Sequence, residues 1–173
     1  MPDRELDELD RYIVYRLQQD ARSTSAAEIA ENYGVSPSTV RNRIGRLESD
    51  GVIQGTHLDI DYELVGYQLF TIIFCTAPIP KREQLAREAM TVPGVVSVRE
   101  LMTGEENLHV VAVGRDSDDL SRIGRDLSKL GLEIVEEELV HNEYTCPFYW
   151  FGQDEDPTPP GEQPESGPDS NGA

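Results

Sequence analysis

The chain has 173 residues, with 33 acidic and only 15 basic side chains, and its formal net charge is −18. A chain of this length supports one or two small domains. Its apolar runs are too short to span a bilayer, and no apolar signal segment follows a charged start. The sequence therefore predicts a soluble, cytoplasmic protein without a membrane partner.

The first 60 residues show the pattern of three short helices. In the first helix, apolar residues recur at helical spacing, namely Leu6, Leu9, Ile13 and Leu17. Ser25 and Glu28 form a capping box that opens the second helix, which runs to Tyr33 and ends at Gly34. A helix that ends at a glycine turn and is followed by another capped helix predicts a helix-turn-helix.

The third predicted helix runs from Ser36 to Leu47 and carries three arginines in an otherwise acidic chain. Ser36 caps its N-terminus and Pro37 suits its first position. Val40 and Ile44 recur at helical spacing and face inward. The remaining side chains are typical of a recognition helix in a DNA major groove. The candidate DNA-binding residues are Ser36, Ser38, Thr39, Arg41, Asn42, Arg43 and Arg46.

Different roles are expected for the three arginines of this helix. Arg43 or a neighbour should reach base edges, whereas Arg41 or Arg46 should contact phosphate. The predicted partner is double-stranded DNA. The alternative interpretation is a small three-helix interaction module without a DNA function, because short motifs mislead. The order of cap, turn and arginine-bearing helix favours DNA.

The overall acidity of the chain conflicts with the basic footprint that a DNA-binding protein is expected to have. Lysine is also scarce, since Lys81 and Lys129 are the only two. Both features are expected in a salt-rich cytoplasm, where the Debye length falls to roughly 3 Å and a distant acidic surface barely repels DNA. We therefore expect a halophilic archaeon as the source, and an acidic mesophilic protein is the alternative.

A strand is predicted from Val52 to Leu58, as the wing of the helix-turn-helix or as a hinge. We assign residues 1–60 to a winged helix-turn-helix domain with this hinge strand, residues 61–151 to a second domain, and residues 152–173 to an acidic tail. The tail contains five prolines and six acidic residues but nothing apolar to bury, and we expect it to be disordered.

The second domain alternates strand and helix patterns in the order βαββαβ. Its segments are a strand at Tyr67–Thr76, a helix at Lys81–Met90, a hairpin of Val95–Met102 with Leu108–Val113, a helix at Ser117–Leu130 and a strand at Leu132–Glu143. This order predicts a ferredoxin-like sheet of four antiparallel strands with both helices on one face. The expected fold class is α+β.

The other face of this sheet has no helix to cover it. The side chains predicted on that face are Phe70, Ile72, Phe74, His109 and Val111. An exposed apolar area of this size is usually covered by another subunit. We therefore expect at least a homodimer.

The chain resembles the Lrp/AsnC (feast/famine) family of transcription regulators over about residues 4–145. The matching segments, in order, are Leu6–Asp10 with Ile13 and Leu17, Asp20–Arg22, Gly34–Ser36, Val40–Glu48, Asp50–Ile53, Val92–Val95 and Thr103–Gly104. The resemblance implies a winged helix-turn-helix, a hinge strand and a ligand-sensing domain that pairs through its sheets into dimers and larger discs such as octamers. It also implies that a small effector, typically an amino acid, binds between subunits.

The effector loop implied by this resemblance consists of Thr103, Gly104, Glu105, Glu106 and Asn107. The family usually has an aspartate where this chain has Asn107, and an amide holds an α-amino group less well than a carboxylate does. Either Glu105 or Glu106 replaces that carboxylate, or the effector is not an ordinary amino acid. A plain hairpin turn without a ligand is the alternative.

No residue pattern predicts catalysis, a cofactor or a metal site. His57, His109 and His141 are scattered singly, and Cys75 and Cys146 lack the spacing of metal ligands and are expected to be reduced. The enzyme kept as an alternative is a sirohaem decarboxylase, which shares the expected architecture. Such a site needs clustered basic and histidine side chains, whereas acidic residues precede His109 here.

Overall fold

The computed structural model of the chain describes residues 5–148 and 151. These residues form two compact units. The first unit contains residues 5–57 together with 145–148 and 151, and the second contains residues 58–144. The tail predicted at residues 152–173 lies outside the described residues.

The first unit contains the three predicted helices, which are α1 (Glu8–Asp20), α2 (Ala26–Tyr33) and α3 (Pro37–Ser49). Asp7, Ser25 and Ser36 each accept a hydrogen bond from the backbone N–H three residues later, as helix N-caps do. Gly34 ends α2 with a φ of +78°, a backbone conformation that favours glycine. The core between the helices contains Leu9, Ile13, Val14, Ile29, Ala30, Val40 and Leu47.

The prediction of a strand from Val52 to Leu58 is wrong for the single chain. The N–H groups of Val52 and Ile53 donate to the Leu47 carbonyl at 2.9 and 3.1 Å and close the end of α3. Residues 54–61 then form no regular structure, and Leu58 is 76% exposed. A strand needs a neighbouring strand for its backbone hydrogen bonds, and the described residues supply none at this segment.

The second unit has the predicted βαββαβ order. Its strands are β1 (Leu69–Thr76), β2 (Val95–Glu100), β3 (Leu108–Gly114) and β4 (Glu133–Leu139). Its helices are α4 (Arg82–Ala89), which follows a short 3₁₀ turn at Ile79–Lys81, and α5 (Ser117–Leu130). The strands lie in the order β2-β3-β1-β4, and every neighbouring pair is antiparallel. The predicted α+β class is therefore confirmed.

The core of the second unit lies between the two helices and one face of the sheet. Ile73 of β1, Val110 of β3 and Ile123 of α5 belong to this core. Strand β4 ends at Leu139, before the predicted Glu143, because its partner β1 begins at Leu69 and the N–H of Val140 already bonds to the carbonyl of Phe70. None of the helices in the described part of the chain has an apolar stretch of membrane-spanning length.

Candidate nucleic-acid interface and effector loop

The exposed side of α3 is polar and begins with a cluster of hydroxyl groups. The Oγ of Ser36 lies 2.9 Å from the Oγ of Ser38 and 2.8 Å from the Oγ1 of Thr39. Ser36, Ser38 and Asn42 are exposed, and Thr39 is half-buried. Hydroxyl and amide groups in the first turns of a helix are suited to phosphate oxygens and base edges. The fold therefore brings these four predicted residues onto one short helix within reach of solvent.

Arg41 and Arg46 keep their guanidinium groups available on this helix. Arg41 is exposed and makes no ion pair with another described residue. Arg46 is 58% exposed, and its Nε lies 3.8 Å from the Oδ2 of Asp50. Because an exposed ion pair at this separation is weak, phosphate can displace it. Both arginines are therefore placed to bind an anion outside the protein.

Arg43 has a different environment from the other two arginines. Its Nη1 donates to the Oδ2 of Asp7 at 2.6 Å and to the Oδ1 of Asp10 at 3.1 Å, and Asp10 is fully buried. The hydrogen bond to Asp7 is the main cause that raises the pKa of Arg43. The guanidinium thus ties α3 to α1, and the Arg43 side chain remains 29% exposed. The sequence did not indicate that these two aspartates pair with Arg43, since they lie 36 and 33 positions before it.

Asn107 is also engaged within the protein. Its side chain is buried, with the residue only 6% exposed. The amide group accepts from the N–H of Ala77 and donates to the carbonyl of Ala77, both at 2.9 Å. A carboxylate would lack the second of these bonds, because it has no donor. Asn107 therefore closes the loop onto the end of β1, a role that the sequence did not indicate.

Most of the remaining residues of the 103–107 loop are open to solvent. Thr103, Gly104 and Glu105 are exposed, and Gly104 has a φ of +107°. The hydroxyl of Thr76 donates to the backbone carbonyl of Glu105 at 2.9 Å and holds the loop in place. Neither the Glu105 nor the Glu106 carboxylate is hydrogen-bonded within the described part of the chain. The loop therefore carries two carboxylates, an exposed one at Glu105 and a half-buried one at Glu106.

The sheet face opposite the helices is apolar along its centre. Opposite pairs across β1 and β3 are Phe70 with Val113, Ile72 with Val111 and Phe74 with His109. The rings of Phe74 and His109 meet edge to face, with centroids 4.5 Å apart, and Phe70, Ile72 and Phe74 remain half-buried. The fold thus brings together the five side chains that were predicted there.

The histidines and cysteines are not gathered into a site. Within residues 5–148 and 151, no cluster of three or more His, Cys, Asp or Glu side chains could hold a metal ion. Cys75 is buried under the helices, and burial raises the pKa of its thiol to about 11. Cys146 is exposed and, like Cys75, is a free cysteine.

Known DNA-binding regulators are similar to this chain. Residues 6–54 match a family model described as winged helix-turn-helix DNA-binding. The chain is 36% identical over 120 residues to the HTH-type transcriptional regulator LrpA of Pyrococcus horikoshii, and the match covers 68% of this chain and 82% of that protein.

Two solved structures extend the likeness over both units. The leucine response regulatory protein LrpA of Mycobacterium tuberculosis superposes with a TM-score of 0.69 at 27% identity, covering 82% of this chain and 96% of that one. The transcriptional regulator NMB0573 of Neisseria meningitidis, solved as a complex with L-Met, gives a TM-score of 0.66 at 26% identity, covering 83% and 94%. The chain therefore belongs to the Lrp/AsnC family of HTH-type transcriptional regulators.

Proposed function

We propose that this regulator contacts double-stranded DNA with the exposed side of α3. The observation that carries the proposal is the pair of exposed arginines, Arg41 and Arg46, beside a cluster of hydroxyl groups on a short capped helix. In this scheme the two arginines bind phosphate, and Asn42 and Ser38 face base edges. Arg43 acts indirectly, because it fixes α3 against α1.

The test is a gel shift with a duplex found by footprinting the promoter of its own gene, alongside a scrambled duplex. Arg41→Ala and Arg46→Ala should each weaken binding to both duplexes and reduce the slope of log affinity against log salt by about one. Asn42→Ala should cost about 1–3 kcal/mol at one base pair only. Arg87→Ala, which removes an exposed arginine from the second unit, is the control for net charge. Unchanged binding by an Arg41, Arg46 double variant would refute the proposal.

We also propose that two copies pair through the apolar sheet face and that larger assemblies, such as octamers, form from these dimers. The support is the half-buried row Phe70, Ile72 and Phe74, because exposed apolar area of this kind marks association surfaces. A symmetric pairing of this face would bury each row against its copy.

A small effector, with amino acids as the first class to test, is proposed to bind beside residues 103–107 at a boundary between subunits. The support is twofold: the open loop offers the carboxylates of Glu105 and Glu106, and the similar regulator from N. meningitidis was solved as a complex with L-Met. An effector that prefers one assembly must change oligomer size and DNA affinity together.

Thermal shift of the full chain against single amino acids tests this proposal. Gly104→Leu should abolish the response because the new side chain occupies the open loop. Gly131→Leu is the matched control. Gly131 also has a positive φ and open space around it, so its substitution introduces a similar backbone strain outside the 103–107 loop. If a hit stabilises both variants equally, the effector binds elsewhere.

The acidic excess and the scarcity of lysine support a further proposal, that the protein works in a salt-rich cytoplasm such as that of a halophilic archaeon. Screening of self-repulsion then predicts a melting temperature that rises with KCl into the molar range. A melting temperature that falls throughout this range would favour the acidic mesophilic alternative. The relatives described above give no support to the sirohaem decarboxylase alternative, since they are named as transcriptional regulators.

A further inference from the structure

The last described residues of the chain return to the DNA-binding unit. The backbone N–H of Phe148 donates to the Oε1 of Gln18 in α1 at 2.8 Å. Phe151 packs against the core formed by α1, α2 and α3, and the rings of Phe148 and Phe151 meet edge to face with centroids 4.9 Å apart. The residues after Phe151 therefore start from the surface of the unit that carries α3.

The sequence that follows Phe151 is strongly acidic. Residues 152–173 contain six acidic and no basic side chains. The acidic residues are Asp154, Glu155, Asp156, Glu162, Glu165 and Asp169. Twenty-two residues can extend up to about 70 Å, whereas a compact unit of about 60 residues is only about 26 Å across. Every point on the surface of the DNA-binding unit is thus within reach of these carboxylates.

The exposed side of α3 is the complementary surface. Arg41 makes no ion pair with another described residue, and Arg46 has only a 3.8 Å approach to Asp50. Carboxylates pair well with guanidinium groups, often through two parallel hydrogen bonds. A tethered segment also acts at an effective concentration in the millimolar range. Contacts with a dissociation constant in the millimolar range are therefore enough to populate a form with such a segment bound to α3.

We propose that residues 152–173 dock on the exposed side of α3 and compete with DNA for Arg41 and Arg46. The segment acts as an internal substitute for phosphate, and DNA binding requires that it be displaced. This inference rests on the proposed role of α3 in DNA binding, and it adds a regulatory element that the helix-turn-helix alone does not have. Salt weakens both competing interactions, and the segment therefore reduces the salt dependence of DNA binding.

The first test needs no DNA and uses the full chain. A carbodiimide joins carboxylates to nearby amines, and the natural lysines are only Lys81 and Lys129, both outside the DNA-binding unit. Arg41→Lys places an amine on α3 and keeps the charge. Peptide mapping should find cross-links from position 41 to the acids of residues 152–173. Arg22→Lys, at another exposed site of the same unit, is the matched control, and equal cross-linking at positions 22 and 41 would overturn the proposal.

The second test compares the DNA affinity of the complete chain with that of a chain that ends at Phe151 and with that of a full-length chain carrying D154N, E155Q, D156N, E162Q, E165Q and D169N. If the free form of α3 is populated at about one fifth, both altered chains should bind about fivefold tighter at 0.1 M KCl. Their log affinity should fall more steeply with salt. A chain with residues 152–173 in shuffled order, which keeps the charge, should behave like the parent.

Simple repulsion between an acidic tail and DNA predicts the same gain in DNA affinity on truncation. A double-mutant cycle that combines truncation with alanine at Arg41 and Arg46 separates the two causes. Docking on α3 requires that the gain from truncation shrink to less than about twofold when Arg41 and Arg46 are both alanine. An undiminished gain, or equal affinity of the complete and truncated chains, would overturn the proposal. A cross-link at position 41 in a protein that does not bind DNA would refute the proposed role of α3 and leave the docking intact.

Discussion

Three arginines on one helix have three different surroundings, and these surroundings decide what each can do. Arg41 is exposed, Arg46 faces Asp50 across 3.8 Å, and Arg43 is held by Asp7 and a fully buried Asp10. A buried carboxylate without a cation is costly. Arg43 therefore holds α3 against α1, whereas the guanidinium groups of Arg41 and Arg46 remain exposed.

The first prediction compares Arg43→Ala with Arg41→Ala. Loss of the charged hydrogen bonds to Asp7 and Asp10 should lower the free energy of unfolding of the unit by about 1–3 kcal/mol. The Arg41 variant should stay within about 0.5 kcal/mol of the parent, because it changes only an exposed side chain. Urea denaturation followed by circular dichroism measures the free energy of unfolding of both variants. Equal losses of stability would contradict the role of Arg43 in holding α3 against α1.

Asn107 is the second residue whose surroundings decide its role. Asn107→Ala leaves the buried N–H and carbonyl of Ala77 without the partners they have now. Unsatisfied buried groups of this kind cost about 1–3 kcal/mol, and the second unit should lose stability by that amount. Asn107→Asp keeps the acceptor but faces the Ala77 carbonyl without a donor, and it should also be destabilising. The control in the same denaturation series is Glu105→Ala, which should be nearly neutral because Glu105 is exposed.

Among the elements, α5 illustrates how local charge stabilises a helix start. Asp116 accepts hydrogen bonds from the N–H groups of Asp118 and Asp119 and caps the helix. Asp119 in turn accepts from the backbone N–H and the Nε of Arg115 at 3.1 and 2.9 Å. Hydrogen bonding to Arg115 lowers the pKa of Asp119 from 3.8 to about 2. The first turn of α5 is thus joined to the end of β3.

The pH dependence of this contact follows from the lowered pKa of Asp119. The ionised form stabilises the folded state above pH 3.8, and the contribution is lost as the pH falls through about 2. The melting temperature of Asp119→Asn should therefore be lower than that of the parent at pH 7 and converge with it in strong acid. Asp118→Asn removes the same charge from the same turn without breaking the pair with Arg115, and its difference should be smaller. A difference between Asp119→Asn and the parent that persists below pH 2 would contradict this account.

At the scale of the whole molecule, the sheet has one face covered by the two helices and one face that neither α4 nor α5 covers. The helices cover Ile73 and Val110 on one side, whereas Phe70, Ile72 and Phe74 stay half-buried on the other. A second copy is the proposed cover, and burial of aromatic side chains would supply most of its affinity.

Phe74→Glu in the full chain tests this association. A charge at the centre of the proposed contact should shift the protein to monomers at micromolar concentration, since an unpaired charge cannot be buried there. Ile79→Glu makes a comparable change at a residue that is 77% exposed and lies outside the sheet, and it should leave the assembly intact. Sedimentation equilibrium measures both, and an unchanged molecular mass for Phe74→Glu would exclude this face as the interface.

The sequence was sufficient to predict the helices and the order of the strands, because these depend on interactions within a few residues. Ser25 and Ser36 cap backbone groups three positions away, and Gly34 ends α2 through its own backbone conformation. Strand alternation likewise predicted which side of β1 faces the helices, as Ile73 and Phe74 show. Local hydrogen bonds and periodic burial can be recognised in any sequence that contains them.

Only the tertiary structure decided which polar groups are available and which are engaged. Arg43 meets partners more than 30 positions away, and Asn107 bonds to a residue 30 positions earlier. Residues 52–58 have strand composition, yet they form no strand in the single chain because a ladder needs a neighbour. These three observations have one physical reason. The hydrogen-bond or ion-pair partner of a polar group is whichever group the fold places beside it, and that partner lies outside the group's own sequence neighbourhood.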